Sequence, residues 1–361
     1  MISEFKYLKK FWKNKKVFLT GHTGFKGSWM SIFFNLLGTK VIGYSLKPND
    51  KINLFDLAEI KKINYRSIIG DIRDYNKLKT SIKKFKPDFI IHMAAQSLVR
   101  NSYINAKYTY EVNTLGTLNI LNIIKELNFI KSALIITTDK VYENKDILSF
   151  YKENDPLGGF DPYSSSKACA ELIYNSYNIS FFKKKKIFVA TARAGNIIGG
   201  GDFSNDRILP DYFRSFKNGK IYLRSPNSIR PWQHVIDPLY GYLKLLYNLY
   251  VKKENSVGSW NFGPSSYNNK SVLEIVKIIN SEFKDKIKII KKPILSKIYH
   301  ESSILMLNSS KAKKFLNWKA RYDINTSLKL TADWYKKFKK KENVLKICQE
   351  QLLNYFNNKI I

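Results

Sequence analysis

The chain has 361 residues, of which 44% are hydrophobic, and a formal net charge of +33 from 62 basic and 29 acidic side chains. This hydrophobic content excludes a mainly disordered chain, and the length suits one large domain or two smaller ones. Two cysteines cannot form a disulfide framework and no metal-ligand cluster surrounds them in the sequence, so we expect no metal and a reducing, cytoplasmic compartment. The sequence also predicts no secretion signal and no membrane span.

The positive charge follows two patterns. Lysines occur along nearly the whole chain, which predicts solvated surfaces rather than a nucleic-acid-binding face. Arginines are clustered, because five of the nine fall within 38 residues: Arg193, Arg207, Arg214, Arg224 and Arg230. A guanidinium can donate two hydrogen bonds to one phosphate, so the cluster predicts a diphosphate site. Arg214 and Arg224 are instead expected in surface ion pairs, and Arg193, after a predicted buried strand, in a structural role.

Apolar β-prone runs alternate with helix-spaced segments, which is typical of a parallel sheet covered by helices on both faces. The predicted strands span residues 16–20, 40–45, 65–70, 88–93, 133–138 and 187–192. The predicted helices span residues 25–37, 75–85, 110–127 and 163–181. We therefore predict an α/β fold: a Rossmann-type doubly wound parallel sheet at 1–195, and a smaller mixed α/β substrate domain at 196–361 with segments around 232–262 returning to the sheet.

A glycine-rich loop, residues 20–28, lies between the first predicted strand and the first predicted helix. Gly21 permits a tight turn, Gly24 lets a phosphate approach the backbone, and Gly27 lets the helix pack close to its strand. The free amides and the positive end of the helix then face an anion. This order predicts a dinucleotide pyrophosphate site, although three glycines also occur in ordinary turns. The residues assigned to it are Gly21, Thr23, Gly24, Phe25, Lys26 and Gly27.

Polar residues follow the later strands, where an open parallel sheet forms its crevice. The further candidates for the cofactor crevice are Asp71, Ile72, Ala94, Ala95 and Gln96. Tyr163 and Lys167 are four residues apart, so they share one face of the helix that follows the fifth strand. A Tyr-x-x-x-Lys match is weak alone, because chance predicts ~3 in this composition. Its position one loop after the polar segment 138–140 makes it a candidate catalytic pair.

Several motifs together resemble those of one enzyme superfamily. They lie at residues 20–29, 94–100, 161–164, 193–202 and 229–235, and the last two are the most specific. From about residue 12 to 335 the chain resembles the extended short-chain dehydrogenase/reductases, in particular their nucleotide-sugar 4,6-dehydratases. Within that family it is most similar to the CDP-glucose group, which also carries lysine where this chain has Lys140. The dTDP-glucose members carry glutamate there.

The resemblance implies a lyase of deoxysugar biosynthesis that removes water from CDP-glucose and leaves a 4-keto-6-deoxy sugar. Tyr163, assisted by Lys167, would act as base on the sugar's 4-hydroxyl, and Thr138 would hydrogen-bond the same hydroxyl. Asp139 would protonate the departing 6-hydroxyl, and Lys140 in its neutral form would remove the C5 proton. The alternatives are a helix cap or turn at Thr138 and Asp139, and an ion pair or solvent contact for Lys140.

The resemblance also implies the substrate and cofactor contacts. The substrate candidates are Ser97, Asn196, Arg207 and Arg230. We predict NAD as cofactor, although the second strand ends without the acidic residue that commonly holds its ribose, and NADP stays open because Lys47 could receive its phosphate. His234 is expected to be a packed core histidine, and His22 to order the backbone of the glycine loop.

In relatives, the helices at 110–127 and 163–181 pair between two subunits, so we predict a homodimer without a nucleic-acid or membrane partner. The side chains offered for its apolar face are Tyr108, Tyr110, Leu118, Leu121, Ile173 and Tyr177, although the same spacing serves packing within one subunit. Three functional alternatives remain: a dehydratase of GDP-, UDP- or dTDP-sugars, a nucleotide-sugar 4-epimerase, and a noncatalytic protein that uses the +33 charge to bind nucleic acid.

Overall fold

The strands of the molecule coincide closely with the apolar runs of the sequence. The computed structural model describes residues 4–264, 268–291 and 302–357. Its strands, numbered along the chain, are β1 Lys16–Thr20, β2 Lys40–Ser45, β3 Arg66–Ile69, β4 Phe89–His92, β5 Ser132–Ile136, β6 Phe150–Tyr151, β7 Phe188–Arg193, β8 Ile197–Ile198, β9 Lys220–Leu223, β10 Ile229–Pro231, β11 Gln233–His234, β12 Gly258–Asn261, β13 Asn269–Ser271, β14 Lys288–Lys291 and β15 Met306–Leu307.

Seven of these strands form one sheet in the order β12-β7-β5-β4-β1-β2-β3, and every neighbouring pair is parallel. The chain starts in the middle of the sheet, moves to one edge through β2 and β3, and then crosses to the other side through β4. The order therefore reverses between β1 and β4, which is where a doubly wound sheet opens its crevice. The predicted doubly wound sheet is confirmed.

Helices cover both faces of this sheet. They are α1 Glu4–Trp12, α2 Phe25–Leu37, α3 Leu54–Leu57, α4 Ile60–Ile63, α5 Tyr75–Phe85, α6 Val99–Ile104, α7 Ala106–Tyr110, α8 Gly116–Glu126, α9 Pro162–Tyr177, α10 Lys183–Lys185, α11 Ile208–Ser215, α12 Ile236–Val251, α13 Val272–Ser281, α14 Ser310–Leu316, α15 Ile324–Lys339 and α16 Val344–Asn357. The bounds of β1, β2, α2 and α5 match the predicted ranges to the residue, because each has strong periodicity and a clear turn signal at its ends.

Alternating side chains of β1 supply two separate cores. Val17 and Leu19 face one cluster, which also contains residues of α1, α2, α12 and α16. Phe18 faces the other cluster, which contains residues of α5, α8 and α9. Both faces of the strand are buried, as expected for the centre of a parallel sheet. A third cluster, built around α11, α13 and α15, forms the smaller mixed α/β part that lies beside the sheet.

Two expectations about continuity were wrong in detail. The predicted helix 110–127 is divided by a π-helical turn at Glu111–Leu115, and the end of the predicted helix 163–181 is a π-helical turn at Asn178–Phe182. Each turn adds one residue to the helical repeat, which hydrophobic periodicity alone does not detect.

The chain also returns to the sheet after the predicted boundary at residue 195. The strand β12, at Gly258–Asn261, pairs with β7. The final helix α16 packs in the same core as α2, so the sequence ranges 1–195 and 196–361 interleave in space.

Candidate active site

Two neighbouring clefts open at the carboxyl edge of the sheet. The loop cleft, of about 430 Å³, is lined by the glycine loop at 21–27 and by the segments that follow β2, β3 and β4. The arginine cleft, of about 300 Å³, is lined by residues 138–140 and by segments between Ala194 and Trp232. Residues that line both clefts mark their junction: Phe25, Lys26, Ser97, Leu98, Tyr163, Asp202 and Arg207.

The three glycines of the loop differ in why they are needed. Gly21 has a φ of +78°, and a Cβ atom there would lie 2.7 Å from the Ala94 nitrogen. A Cβ atom on Gly27 would lie 2.0 Å from the Gly21 oxygen, so the close approach of helix and strand requires glycine. A Cβ atom on Gly24 would meet, among the described residues, only the Gly21 oxygen at 3.5 Å. Packing therefore leaves room for a side chain at position 24, and the open space at this N-cap is compatible with the approach of a ligand.

The rest of the loop cleft is shaped by hydrogen bonds between strand ends. Thr23 Oγ1 lies 2.8 Å from Ser45 Oγ and donates to the Leu46 oxygen at 2.9 Å. The Tyr44 hydroxyl donates to the Asp71 oxygen at 2.9 Å, next to Ile72 in the lining. The cleft is also lined by the predicted residues Ala94, Ala95 and Gln96.

One acidic residue of the loop cleft was missed. Asp50 lies in its lining, where burial followed by the charge of Asp202 raises the pKa of its carboxyl. The expected position for an acidic residue is the end of β2, but the chain there reads Ser45, Leu46 and Lys47. Because Asp50 stands five residues beyond β2, strand-end reasoning gave no signal for it.

A buried chain of side chains below the loop cleft was also missed. Thr20 Oγ1 accepts hydrogen bonds from the backbone nitrogens of Met93 and Ala94, both at 3.1 Å. The same oxygen lies 2.8 Å from His92 Nδ1, and His92 Nε2 lies 3.1 Å from Thr117 Oγ1. Burial, followed by the charge of Lys167, lowers the pKa of His92 to about 3. The imidazole is therefore neutral and holds the segment after β4 in place.

Tyr163 stands on the first turn of α9 at the junction of the clefts. Asp161 caps this helix by accepting from the Ser164 nitrogen at 2.9 Å, and Pro162 occupies the first turn, so the start of the helix is fixed. Burial raises the pKa of Tyr163 to about 12, whereas a hydrogen bond with Thr138 and the charge of Arg207 lower it.

Lys167 lies one turn further along α9. Its Nζ donates to the Ile136 oxygen at 3.0 Å. Burial, followed by the charge of Lys26, lowers the pKa of Lys167 to about 7. A ligand anion beside Lys26 would reverse that second effect and favour the ammonium form.

The segment 138–140 follows β5 as a single 3₁₀ turn. Thr138 caps the turn, as the alternative interpretation expected, and Thr138 Oγ1 also donates to Asp139 Oδ1 at 3.0 Å. Burial raises the pKa of Asp139, opposed by Lys140, Thr138 and Arg230 in that order. Asp139 Oδ2 has no hydrogen-bond partner within the described part of the chain. A buried carboxyl of this kind can hold a proton and deliver it.

Gly195 is a site residue that the sequence analysis did not assign. A Cβ atom there would lie 2.1 Å from Asp139 Oδ2, so only glycine leaves the space that this carboxyl occupies. Its signal was present in the motif at 193–202, where Gly195 stands directly before Asn196.

The substrate candidates lie around the arginine cleft. Arg207 donates to Asp202 Oδ2 at 2.9 Å and to Ser97 Oγ at 3.0 Å, so two of the candidates are in contact. Asn196 and Arg230 line the same cleft. Arg230 is buried, and its guanidinium donates to the Ile229 oxygen at 2.9 Å and the Ser303 oxygen at 3.2 Å.

Lys26 was assigned to the cofactor alone, but it lines both clefts. Burial, followed by the charge of Arg207, lowers the pKa of Lys26 to about 8. Lys26 and Arg207 therefore bring two basic side chains to the junction, and Lys167 adds a third in the loop cleft, which suits a site that receives phosphates.

The other three arginines of the cluster form the ion pairs and the structural contact expected for them. Arg193 forms a buried ion pair with Glu171 at 2.9 Å. Arg214 pairs with Asp211 at 2.5 Å, and Arg224 pairs with Asp206 at 2.5 Å, although Arg224 also lines the arginine cleft.

The surroundings of His234 and His22 can be compared with the roles expected for them. His234 is buried between the rings of Trp29 and Tyr322, and burial lowers its pKa to about 3, which confirms the packed core role. His22 Nε2 lies 2.7 Å from Ser67 Oγ, and its ring fills the space beside Gly43. Burial lowers the pKa of His22 to about 4, and a hydrogen bond with the backbone of Tyr44 opposes this shift. The side chain therefore joins the glycine loop to β2 and β3.

Within residues 4–264, 268–291 and 302–357, the structure contains no group of three or more His, Cys, Asp or Glu side chains that could hold a metal ion. In the same ranges, every helix is too short or too polar to span a bilayer.

Residues 18–331 match the protein family described as GDP-mannose 4,6 dehydratase. The chain belongs to this family. It is 40% identical over 355 residues to the CDP-glucose 4,6-dehydratase of Salmonella typhimurium, covering 97% of this chain and 98% of that protein. The resemblance to nucleotide-sugar 4,6-dehydratases that the motifs indicated is confirmed.

Solved structures show that the fold is that of this dehydratase family and its epimerase relatives. The dTDP-glucose 4,6-dehydratase of Bacillus anthracis, in complex with NAD, aligns with a TM-score of 0.73 and 24% identity over 92% of this chain and 99% of that one. The UDP-glucose 4-epimerase of Thermotoga maritima, with UDP-glucose, aligns with a TM-score of 0.77 and 18% identity over 90% and 99%.

The contrast between Gly24 and Gly27 gives a test of the loop cleft. Gly24→Ala is expected to change the free energy of unfolding by less than about 1 kcal/mol, because its methyl group has space. It should weaken binding of NAD at least about tenfold, because that space is where phosphate approaches. Gly27→Ala should destabilise the fold by about 3 kcal/mol. Denaturant unfolding and titration calorimetry measure both effects, and unchanged NAD affinity in Gly24→Ala would contradict the assignment.

Proposed function

We propose that this protein is a CDP-glucose 4,6-dehydratase, which converts CDP-glucose into CDP-4-keto-6-deoxyglucose and water. The observation that carries the proposal is the 40% identity, across 97% of the chain, to the Salmonella typhimurium enzyme of that activity. The acid and base candidates beside Thr138 support it further. A 4-epimerase needs no acid and base at that position, whereas removal of water needs both.

We propose NAD as the cofactor, held in the loop cleft. The open approach at Gly24, the first turn of α2 and the strand-end lining support a dinucleotide there, and the Bacillus anthracis relative was solved with NAD. Bound NAD would accept an electron pair with the C4 hydrogen and return it to C6. The Tyr44 hydroxyl donates a hydrogen bond to the Asp71 oxygen, and this contact fixes the end of the loop cleft that follows β3.

Tyr163 acts as the base on the 4-hydroxyl of the hexose. Its position at the junction of both clefts supports this role, because the reacting carbon must face the cofactor and the sugar site together. A phenol with a pKa near 12 is a poor base, so the cations around it must favour the phenolate when the ligands are bound. Arg207 already acts in that direction, and Lys167 is one helical turn away.

Asp139 and Lys140 perform the elimination. The raised pKa of the Asp139 carboxyl supports a protonated acid that gives its proton to the departing 6-hydroxyl. Lys140, half-buried in the lining of the arginine cleft, removes the C5 proton. Arg207, Arg230, Asn196 and Ser97 hold the diphosphate and the hexose.

We further propose a homodimer in a cytoplasmic, reducing compartment, which fits the two free cysteines. The predicted face needs one correction, because Leu121 is fully buried in the core of its own subunit. Exposed apolar side chains on the same helical segments are better candidates: Leu172 is 56% exposed, Leu115 50% and Tyr110 36%.

A panel of sugar nucleotides tests the reaction and its specificity. We expect CDP-glucose to lose one water by mass spectrometry, and GDP-, UDP- and dTDP-glucose to react at least about tenfold more slowly. With deuterium at C4 of the hexose, the label should appear in the new methyl group. Conversion of another nucleotide alone would overturn the specificity, and a product that keeps its water would favour epimerisation.

Lys140→Met tests the base. We expect turnover to fall by about a hundredfold or more, and exchange of the C5 hydrogen with D₂O to fall by the same factor, because both need the amine. Lys145→Met, an exposed lysine five residues away, is the matched control and should leave both rates unchanged. If exchange continues at the wild-type rate in Lys140→Met while turnover falls, another residue removes the proton.

The dimer is tested at Leu172. Light scattering is expected to give twice the chain mass for the wild-type protein and one chain mass for Leu172→Asp, because a buried carboxylate opposes association. Leu353→Asp on α16, where the leucine is 37% exposed, is the control and should remain dimeric. A wild-type monomer at all concentrations would contradict the proposal.

A further inference from the structure

The proposed reaction leaves an imbalance of protons inside the site. Tyr163 takes the proton of the 4-hydroxyl, and that oxygen remains a ketone in the product, so the proton is never returned there. Asp139 gives a proton to the 6-hydroxyl, whose C–O bond breaks with its electron pair, and the proton leaves as part of water. Lys140 takes the C5 proton and returns one to C5, and the electron pair removed from C4 is restored at C6. After one cycle Tyr163 therefore holds one extra proton and Asp139 lacks one.

We infer that the Thr138 hydroxyl carries this proton from Tyr163 to Asp139 and so resets the enzyme after each turnover. The inference rests on the proposed function, since it assigns a step of that reaction. It gives Thr138 a role in addition to contact with the 4-hydroxyl.

The Thr138 side chain interacts with both ends of the relay. Thr138 Oγ1 donates to Asp139 Oδ1 at 3.0 Å, and the same side chain acts on the Tyr163 hydroxyl, whose pKa it lowers. In the reset, the Tyr163 O–H bond breaks as a new O–H bond forms on Thr138. The original Thr138 O–H bond breaks as one forms on Asp139. The threonine keeps one hydrogen throughout, and the phenolate and the carboxylic acid are both restored.

Burial favours an internal route. The exposed fraction is 8% for Tyr163, 5% for Thr138 and 2% for Asp139, so bulk water has little access to any of the three. Burial raises the pKa of both ends, so the proton leaves Tyr163 for Asp139 only when cations such as Arg207, which lowers the pKa of Tyr163, favour the phenolate.

Asp139 can receive and deliver a proton at different oxygens. Oδ1 faces Thr138, whereas Oδ2 has no partner among the described residues and lies in the space left by Gly195. Rotation about the Cβ–Cγ bond exchanges the two oxygens between refilling and delivery. Asp139 also lines the arginine cleft, where the hexose is proposed to bind.

Thr138→Val and Thr138→Ser separate the relay from other roles, because valine keeps the shape and removes the hydroxyl while serine keeps the hydroxyl. With excess CDP-glucose and rapid quenching, we expect Thr138→Val to form about one product per site and then slow by about a hundredfold. Small buffers such as formate or imidazole should raise this later rate in proportion to their concentration, because they replace the relay. Thr138→Ser should show equal first and later turnovers.

The relay is wrong if Thr138→Val slows first and later turnovers equally and does not respond to buffer. If Thr138→Val forms no product even in a first turnover, the relay is tested instead on the wild-type protein, by measuring its steady-state rate in mixtures of H₂O and D₂O. A curved dependence of steady-state rate on deuterium fraction indicates two protons moving together and supports the relay, and a linear dependence contradicts it. Absence of dehydration by the wild-type protein would instead overturn the proposed function.

Discussion

The arrangement of the site depends on one buried carboxylate that fixes α9 to the sheet. Glu171 accepts hydrogen bonds from Thr137 after β5 at 2.5 Å, from Thr191 and Arg193 of β7 at 2.8 and 2.9 Å, and from Ser259 of β12 at 2.9 Å. Burial alone would raise the pKa of Glu171, but Arg193, Thr137 and Thr191 lower it below its ordinary value, so the ionised carboxylate is favoured. Tyr163 and Lys167 stand on the same helix as Glu171, so this network fixes their positions relative to the ends of the strands.

The electrostatics of the junction follow from that packing. Lys26, Lys167 and Tyr163 are brought together from the glycine loop and from α9, and burial disfavours the charged form of each. Bound phosphate and sugar groups would replace the water that these buried side chains have lost and would stabilise their charged forms. Ligand binding would therefore also activate the reacting groups. In this view the cofactor loop is also part of the reaction centre, because Lys26 lines both clefts.

Much of this could be predicted from the sequence because local signals coincide with long-range ones. The glycine loop marks β1 and α2, and the alternation of strands and helices indicates a doubly wound parallel sheet, in which the strand ends bring distant polar segments to one edge. Asp50 and the position of Lys26 in both clefts could not be predicted, because each depends on where another part of the chain returns. The buried state of Leu121 was missed for a similar reason, since helical spacing does not distinguish an intersubunit face from a core.

The late position of β12 has a consequence for synthesis of the chain. Until residue 261 has left the ribosome, β7 is the last strand of an unfinished sheet and its backbone hydrogen-bonding groups on that side have no neighbour. Ser259, one of the donors to Glu171, is also missing during that interval. A nascent chain of this protein therefore passes through a stage with an open, apolar edge, at which pairing with another chain competes with completion of its own fold.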